Sequence, residues 1–196
     1  MSESASRLRV ASSAGSSSAA DISVFTIDPV HSTVGFSVRH LMITDVHGEF
    51  TKFKADVRFT LEDLGECSVD VLIQADSINT GNEKRDQHLR SVDFFDVEHH
   101  PRLAFHSTRF YRSDDGRLRI DGALTIRGVT HEVTLNVEGP TPTVKDPWGN
   151  DRIGLVATTC INRHDFGVDW NQNLEGGGVM VGSEVKIRLD LSLVSR

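Results

Sequence analysis

The sequence predicts an all-β protein whose long antiparallel strands close into a barrel or stack as a sandwich. Three observations carry this. Apolar residues recur with a period of two along most of the chain, turn residues punctuate the alternating runs, and a single stretch carries helix signals. Successive strand side chains point to opposite faces, so each run has one apolar and one wet side. Parallel strands covered on both faces would read as continuous apolar runs instead.

The elements follow in order. A short run at Val24–Ile27 precedes "DPVH", where Asp28 to His31 reads as a turn with His31 hydrogen-bonded locally. "TVGFSVRHL" sets Val34, Phe36, Val38 and His40 against Thr33, Gly35, Ser37 and Arg39. "FKADVRFTL" aligns Phe53, Ala55, Val57, Phe59 and Leu61, and "CSVDVLIQA" aligns Cys67, Val69, Val71, Ile73 and Ala75. After Arg102–Tyr111, "RLRIDGALTI" aligns Leu118, Ile120, Gly122, Leu124 and Ile126. "HEVTLNVEG" aligns Val133, Leu135 and Val137. A further run at Arg152–Ile161 leads into "NRHDFGVD", where Arg163 and Asp165 are expected to form a salt bridge that fixes a loop. Gly176 to Gly178 make a flexible loop without the strand–loop–helix setting of a phosphate cradle. The last run is the clearest, with Val185, Ile187, Leu189, Leu191 and Leu193 interleaved with Glu184, Lys186, Arg188, Asp190 and Ser192.

About eight or nine such strands must bury their apolar faces against one another, and closure into a barrel removes the exposed sheet edges. A strand of about ten residues spans roughly 33 Å. Eight of them in a barrel leave room for one small ligand. Alternation alone does not separate a filled barrel from a hollow one, so a packed core and an apolar cavity both stand at this point.

The alternation stops at "SINTGNEKRDQHLRSVDFFDVEHHP", Ser77 to Pro101. Thr80 and Glu83 have the spacing of a capping box. Two turns of helix follow, with Leu89 and Val92 as a thin apolar edge. Adjacent Phe94 and Phe95 cannot both point the same way, so at least one is expected to plug the barrel as a lid or end-cap. Arg85, Asp86 and His88 are acid/base candidates, but nothing nearby supplies a nucleophile with its base. His99 and His100, adjacent in sequence, lack the HxH or HExxH spacing of a metal site even with His106 in the next strand. His31 and Ser32 lack the nucleophile elbow of a hydrolase. No catalytic residue, metal or cofactor is therefore assigned.

Composition narrows the partners. The 196 residues carry a formal net charge of −7 without a Lys/Arg cluster, which argues against nucleic acid and against an anionic membrane surface. Residues 1–21 are Ser- and Ala-rich and read as a disordered tail, leaving 22–196 as one domain. No stretch reaches the roughly 20 apolar residues of a membrane-spanning helix, nor the apolar core of roughly 7–15 residues of a secretory signal. The cytoplasm is thus the expected compartment. Cys67 and Cys160 read as small buried hydrophobes; a disulfide between them is the less favoured alternative.

Four fragments in order, "IDPVHSTVGFSVRH", "SINTGNEKRDQHLRSVDFFDVEHHPRLAFHST", "GALTIRGVTHEVTL" and "INRHDFGV", make the chain from about Phe25 onward similar to the YceI-like family. The resemblance implies an extended, lipocalin-like eight-stranded antiparallel β-barrel with a polyisoprenoid or isoprenoid quinone in its pore. It also implies a homodimer and a binding role, not an enzymatic one. Many relatives are exported, a point on which this chain is expected to differ. With a pore implied, the lining is expected from Phe36 and Val38, Phe59, Val71 and Ile73, Phe105, Ile120 and Leu124, and Ile187 and Leu189. Phe94 and Phe95 are expected at the closing end. An enzyme acting on a lipid-like substrate and a ligand-free interaction module are the competing readings.

Overall fold

The computed structural model describes residues 22–196, so the expected disordered tail lies outside the described residues. The strands are β1 (Ser23–Ile27), β2 (Thr33–His40), β3 (Thr44–Phe50), β4 (Phe53–Phe59), β5 (Ser68–Gln74), β6 (Ile78–Asn79), β7 (Arg102–Arg112), β8 (Leu118–Ile126), β9 (Val129–Glu138), β10 (Val144–Lys145), β11 (Asp151–Asn162) and β12 (Val181–Ser195). Helix α1 (Glu83–Arg90) lies between β6 and β7.

Eight strands close a ring in the order β11-β9-β8-β7-β5-β4-β1-β12, and β12 returns to β11. Every pairing is antiparallel. Strand β12 is the seam. One edge pairs with β11 from Glu184 to Val194, while the other takes β2 up to Asp190 and then β1 from Leu193. The chain passes between these two stations at Asp28–Ser32. There Asp28 N–H donates to Ser192 O (2.8 Å) and Ser192 N–H donates to Ser32 Oγ (2.9 Å). His31 Nδ1 meets Asp28 Oδ2 at 2.9 Å, the local bond expected of the turn.

Beyond β2 the wall continues to β3, whose far edge carries only two-residue β6. The segment from Ala75 to Pro101, α1 included, fills the space between β3 and β7. Its ends are joined by Ala75 N–H donating to Pro101 O (3.0 Å).

Several expectations need correction. Strand β3 has no counterpart among the alternating runs. Its inward positions are Val46, Gly48 and Phe50, and a side chain at Gly48 would overlap the Phe36 ring across the β2–β3 pair. The glycine that makes room for the ring also breaks the apolar pattern. Leu61 is exposed because β4 ends at Phe59 and the chain turns, burying Thr60 instead. Val92 is exposed: α1 ends at Arg90, and Phe94 and Phe95 take the inward place. The helix cap is Asn82, whose side chain accepts from Arg85 N–H (3.0 Å). Thr80 Oγ1 instead donates to Asp86 Oδ1 (2.5 Å). Cys67 and Cys160 are both free, and Cys160 is exposed beside Lys186 on the outer face of β11, not buried.

At the barrel end opposite α1, Arg152 clamps two loops. Its guanidinium donates to Asp28 (2.6 Å) and Asp146 (2.9 Å), joining the β1–β2 turn to the β10–β11 hairpin. Arg152, then His31, hold the Asp28 carboxyl well below its ordinary value of 3.8. Burial opposes ionisation of Asp146, but hydrogen bonds from Arg152, Asn150 and the Trp148 N–H outweigh it, and its pKa also falls. Carboxyls with depressed folded-state values contribute stability above their unfolded pKa and lose it as pH falls toward the folded one. The urea midpoint is therefore expected to drop between about pH 5 and pH 2, and Arg152→Met to flatten that drop. Equal slopes in the two proteins would show that the clamp does not couple to pH.

Candidate functional site

The barrel encloses a cavity of about 350 Å³. The walls are not uniform. On β7, β8 and β9 most of the inward residues, from Leu103 to Val137, are buried. On β2, β5 and β12 most of the inward residues are only half-buried, because they face open space inside the ring. Water-sized access on the inside of a wall is the signature of a lumen, so this barrel is hollow along that side.

Sequence reasoning placed twelve residues at such a pore, and the structure puts each of them on the cavity wall. Phe36 and Val38 stand on β2 opposite Ile187 and Val185 of β12, and Leu189 stands opposite Val34. Phe59, Val71 and Ile73 line the β4–β5 side. Phe105, Ile120 and Leu124 line β7 and β8, with the Phe105 ring lying over Gly122, where any side chain would overlap it. A strand glycine at such a position marks close approach by a neighbour.

Phe94 and Phe95 both face inward. Phe95 meets the edge of Phe50 at 5.7 Å between ring centroids, and Phe50 in turn touches Phe36 at 5.9 Å. Phe94, only 6% exposed, packs on Trp170 (5.3 Å), and the His88 ring stands edge-on to both at 5.0 and 4.8 Å. Arg127 Nη1 donates to Phe94 O (2.8 Å), anchoring this plug to the β8–β9 turn. The helix thus holds the aromatic cluster from outside, and the cluster closes the barrel.

Polar wall groups are few. Apart from Thr159, and Arg39 on the outer edge of β2, they are His40, Thr80, Arg85, His88 and Arg163, all on the α1 side. Among the described residues no carboxylate lines the cavity. The acid/base candidates are engaged in structure. Arg85 donates to Thr80 Oγ1 (2.7 Å) and Thr80 O (2.8 Å), buried Asp86 accepts from Thr80 N–H (3.0 Å), and His88 Nε2 meets Asp93 at 2.8 Å. Among the described residues no three of His, Cys, Asp or Glu gather in a metal-holding group. His99 contacts Asp96, which raises its pKa, and His106 pairs with Asp70 on the outer face.

The expected Arg163–Asp165 salt bridge is absent. Arg163, 5% exposed, donates to four backbone carbonyls: Gly182 (2.9 Å), Val168 (2.5 Å), Trp170 (3.0 Å) and Val181 (3.3 Å). Burial pulls its pKa down. Asp165 is exposed, and its carbonyl oxygen instead meets His131 Nε2 at 2.9 Å. Trp170, Val168 and Phe166 escaped sequence reasoning as wall residues because they sit in a loop without periodicity. The cluster of aromatic and apolar residues in "DFGVDW" is the signal that could have found them.

In chemical terms this is an apolar chamber with a polar fringe at one end. Its volume falls within the range of roughly 300–1,000 Å³ of small-molecule sites. A cavity lined this way is a poor host for water and a good one for hydrocarbon.

Residues 25–193 match the YceI-like domain. A UPF0312 protein from Staphylococcus aureus (strain MSSA476) is 37% identical over 162 residues, covering 83% of this chain and 92% of the relative. Among solved structures, Burkholderia cenocepacia BcnA has a TM-score of 0.72 at 22% identity, over 85% of this chain and 98% of its own. The Campylobacter jejuni YCEI protein has a TM-score of 0.66 at 26% identity, over 80% and 89%. A domain from Saccharophagus degradans described as polyisoprenoid binding has a TM-score of 0.61 at 14% identity, over 88% and 98%.

Proposed function

The chain belongs to the YceI-like domain family, and we propose that it binds a long-chain apolar lipid, a polyisoprenoid or isoprenoid quinone, in the barrel, to store or carry it. The observation that carries this reading is the hollow of about 350 Å³ whose wall is apolar apart from Thr159 and a polar fringe at one end. The polyisoprenoid-binding description of the Saccharophagus degradans domain, a neighbour in fold, supports the same ligand class. Affinity comes from burial, at about 0.8 kcal/mol for each methylene removed from water. Ten methylenes contribute about 8 kcal/mol before the cost of ordering chain and protein, so a long tail needs few polar contacts. The tail lies along Phe36, Ile187 and Leu189, and any polar head sits by Arg85, His88 and His40.

We infer a binding role because Arg85, His88 and Arg163 at the wall are held in structural hydrogen bonds, and among the described residues no nucleophile and base are set against open space. Among the described residues no helix is long and apolar enough to cross a membrane. An organic extract of the purified protein, read by mass spectrometry, is expected to contain a lipid of this class in near-stoichiometric amount. A clean extract, together with no uptake of an added isoprenoid alcohol, would sink the reading.

A further inference from the structure

The β2–β3 hairpin ends in a feature that the barrel does not need. His40 O accepts from Ile43 N–H (3.1 Å) across a two-residue turn, and both central residues, Leu41 and Met42, are left-handed, at φ 50° and 63°. Such a turn selects Asn-Gly or a similar pair, because bulky side chains are strained at positive φ. The β8–β9 turn on the same barrel follows that rule at its second position with Arg127–Gly128. Here the sequence instead places Leu, Met and then Ile; Leu41 is half-buried, while Met42 is 46% and Ile43 77% accessible. Strain and exposed apolar surface are both destabilising in water, and together they mark a site kept for contact.

The position says what it contacts. His40, at the foot of the turn, lines the cavity, and Leu41 N–H donates to Met180 O (2.8 Å), another wall residue. The apolar tip is thus continuous with the polar-fringed end of the chamber. A stable protein partner needs about 800 Å² of surface on each side, far more than one turn presents. Two long aliphatic side chains on a narrow tip suit the upper layer of a bilayer. The proposed cargo dissolves there and leaves it for water only at great cost. The chain's charge of −7 disfavours an anionic surface and leaves a zwitterionic one.

We propose that the Leu41–Met42–Ile43 turn docks the barrel on a zwitterionic lipid surface, so that an isoprenoid chain passes between bilayer and cavity without crossing water. This rests on the reading of the cavity as a lipid site, and the test separates the two. Transfer of a fluorescent isoprenoid from phosphatidylcholine vesicles is compared with its uptake from a detergent dispersion. The proteins compared are the full chain, Leu41→Asn/Met42→Gly, and Ile43→Ser, which leaves the turn backbone alone. Expected are at least tenfold slower vesicle transfer by both variants, unchanged uptake from detergent, and a melting temperature no lower in the Asn-Gly variant. Unchanged vesicle transfer in the variants overturns docking while leaving the cavity reading intact. No uptake by the unaltered chain from either source overturns the cavity reading and docking with it.

Discussion

Arg163→Ala lowers the melting temperature by roughly 6–20 °C in thermal denaturation followed by circular dichroism. The side chain is almost wholly buried and spends its fork of donors on the carbonyls of Val168, Trp170, Val181 and Gly182. Each bond to a charged donor is worth about 1.5–3 kcal/mol, and each buried carbonyl left unpaired costs about 1–3 kcal/mol. These figures do not add, and losses from removing one member of a buried network reach about 3–5 kcal/mol. For a domain of this size each kcal/mol moves the midpoint by about 2–4 °C. Arg163→Lys should recover part of the loss, since one ammonium reaches fewer carbonyls than a planar fork with five N–H groups. A midpoint within 2 °C of the unaltered protein would show that the loop of Trp170 and the start of β12 hold without the arginine.

The same residue shows where sequence reading stops. An Arg two positions before an Asp invites an ion pair, and only the fold reveals four carbonyls converging on the guanidinium. The loop from Arg163 to Trp170 turns through a single 3-10 turn closed by left-handed Gly167, and its carbonyls meet those of β12 there. No pattern of residue types encodes that meeting, because backbone groups belong to every residue alike. The wall residues of the long strands were legible for the opposite reason. In β8 the alternation of Leu118, Ile120, Gly122, Leu124 and Ile126 is the burial pattern itself. Strand β12 reads just as plainly, although 15 residues are shared among three partner strands.

Illegibility in β3 has a packing cause: Gly48 is small because Phe36 is large, a pairwise fact that a single-strand pattern does not hold. In α1 it has a local cause. Thr80 has the capping-box spacing, but its hydroxyl is taken by Asp86 and Arg85, and Asn82 two residues later caps the helix. At least one of Phe94 and Phe95 was expected inside, on the ground that adjacent strand residues point to opposite faces. The tight turns from Ser91 to Asp96, with Asp96 left-handed at φ 47°, remove the strand geometry on which that expectation rested and bring both rings inward. Strand arithmetic works where the chain is a strand and fails within a residue or two of where it stops being one.

Ile187→Trp is expected to weaken isoprenoid binding at least a hundredfold, about 2.7 kcal/mol, without lowering the melting temperature. Ile187 lies in the middle of β12, cross-strand from Phe36 on one side and Thr159 on the other, and both of these also face the cavity. The residue is half-buried for want of a neighbour across the lumen, so an indole there fills space that a ligand tail would occupy. In a filled core the same change would force overlaps costing about 1–3 kcal/mol, and in a void it gains contacts instead. Binding and stability thus move in opposite directions only if the barrel is hollow at this level. Lys186→Trp, one position along and on the outer face, serves as the control and should alter neither. Leu189→Trp, two positions along on the same inner face, should repeat the effect of Ile187→Trp. If both inner variants bind the isoprenoid as the unaltered chain does, the ligand does not lie in the barrel. If both lose stability sharply, the lumen between β2 and β12 is occupied by protein and the tail has no path through it.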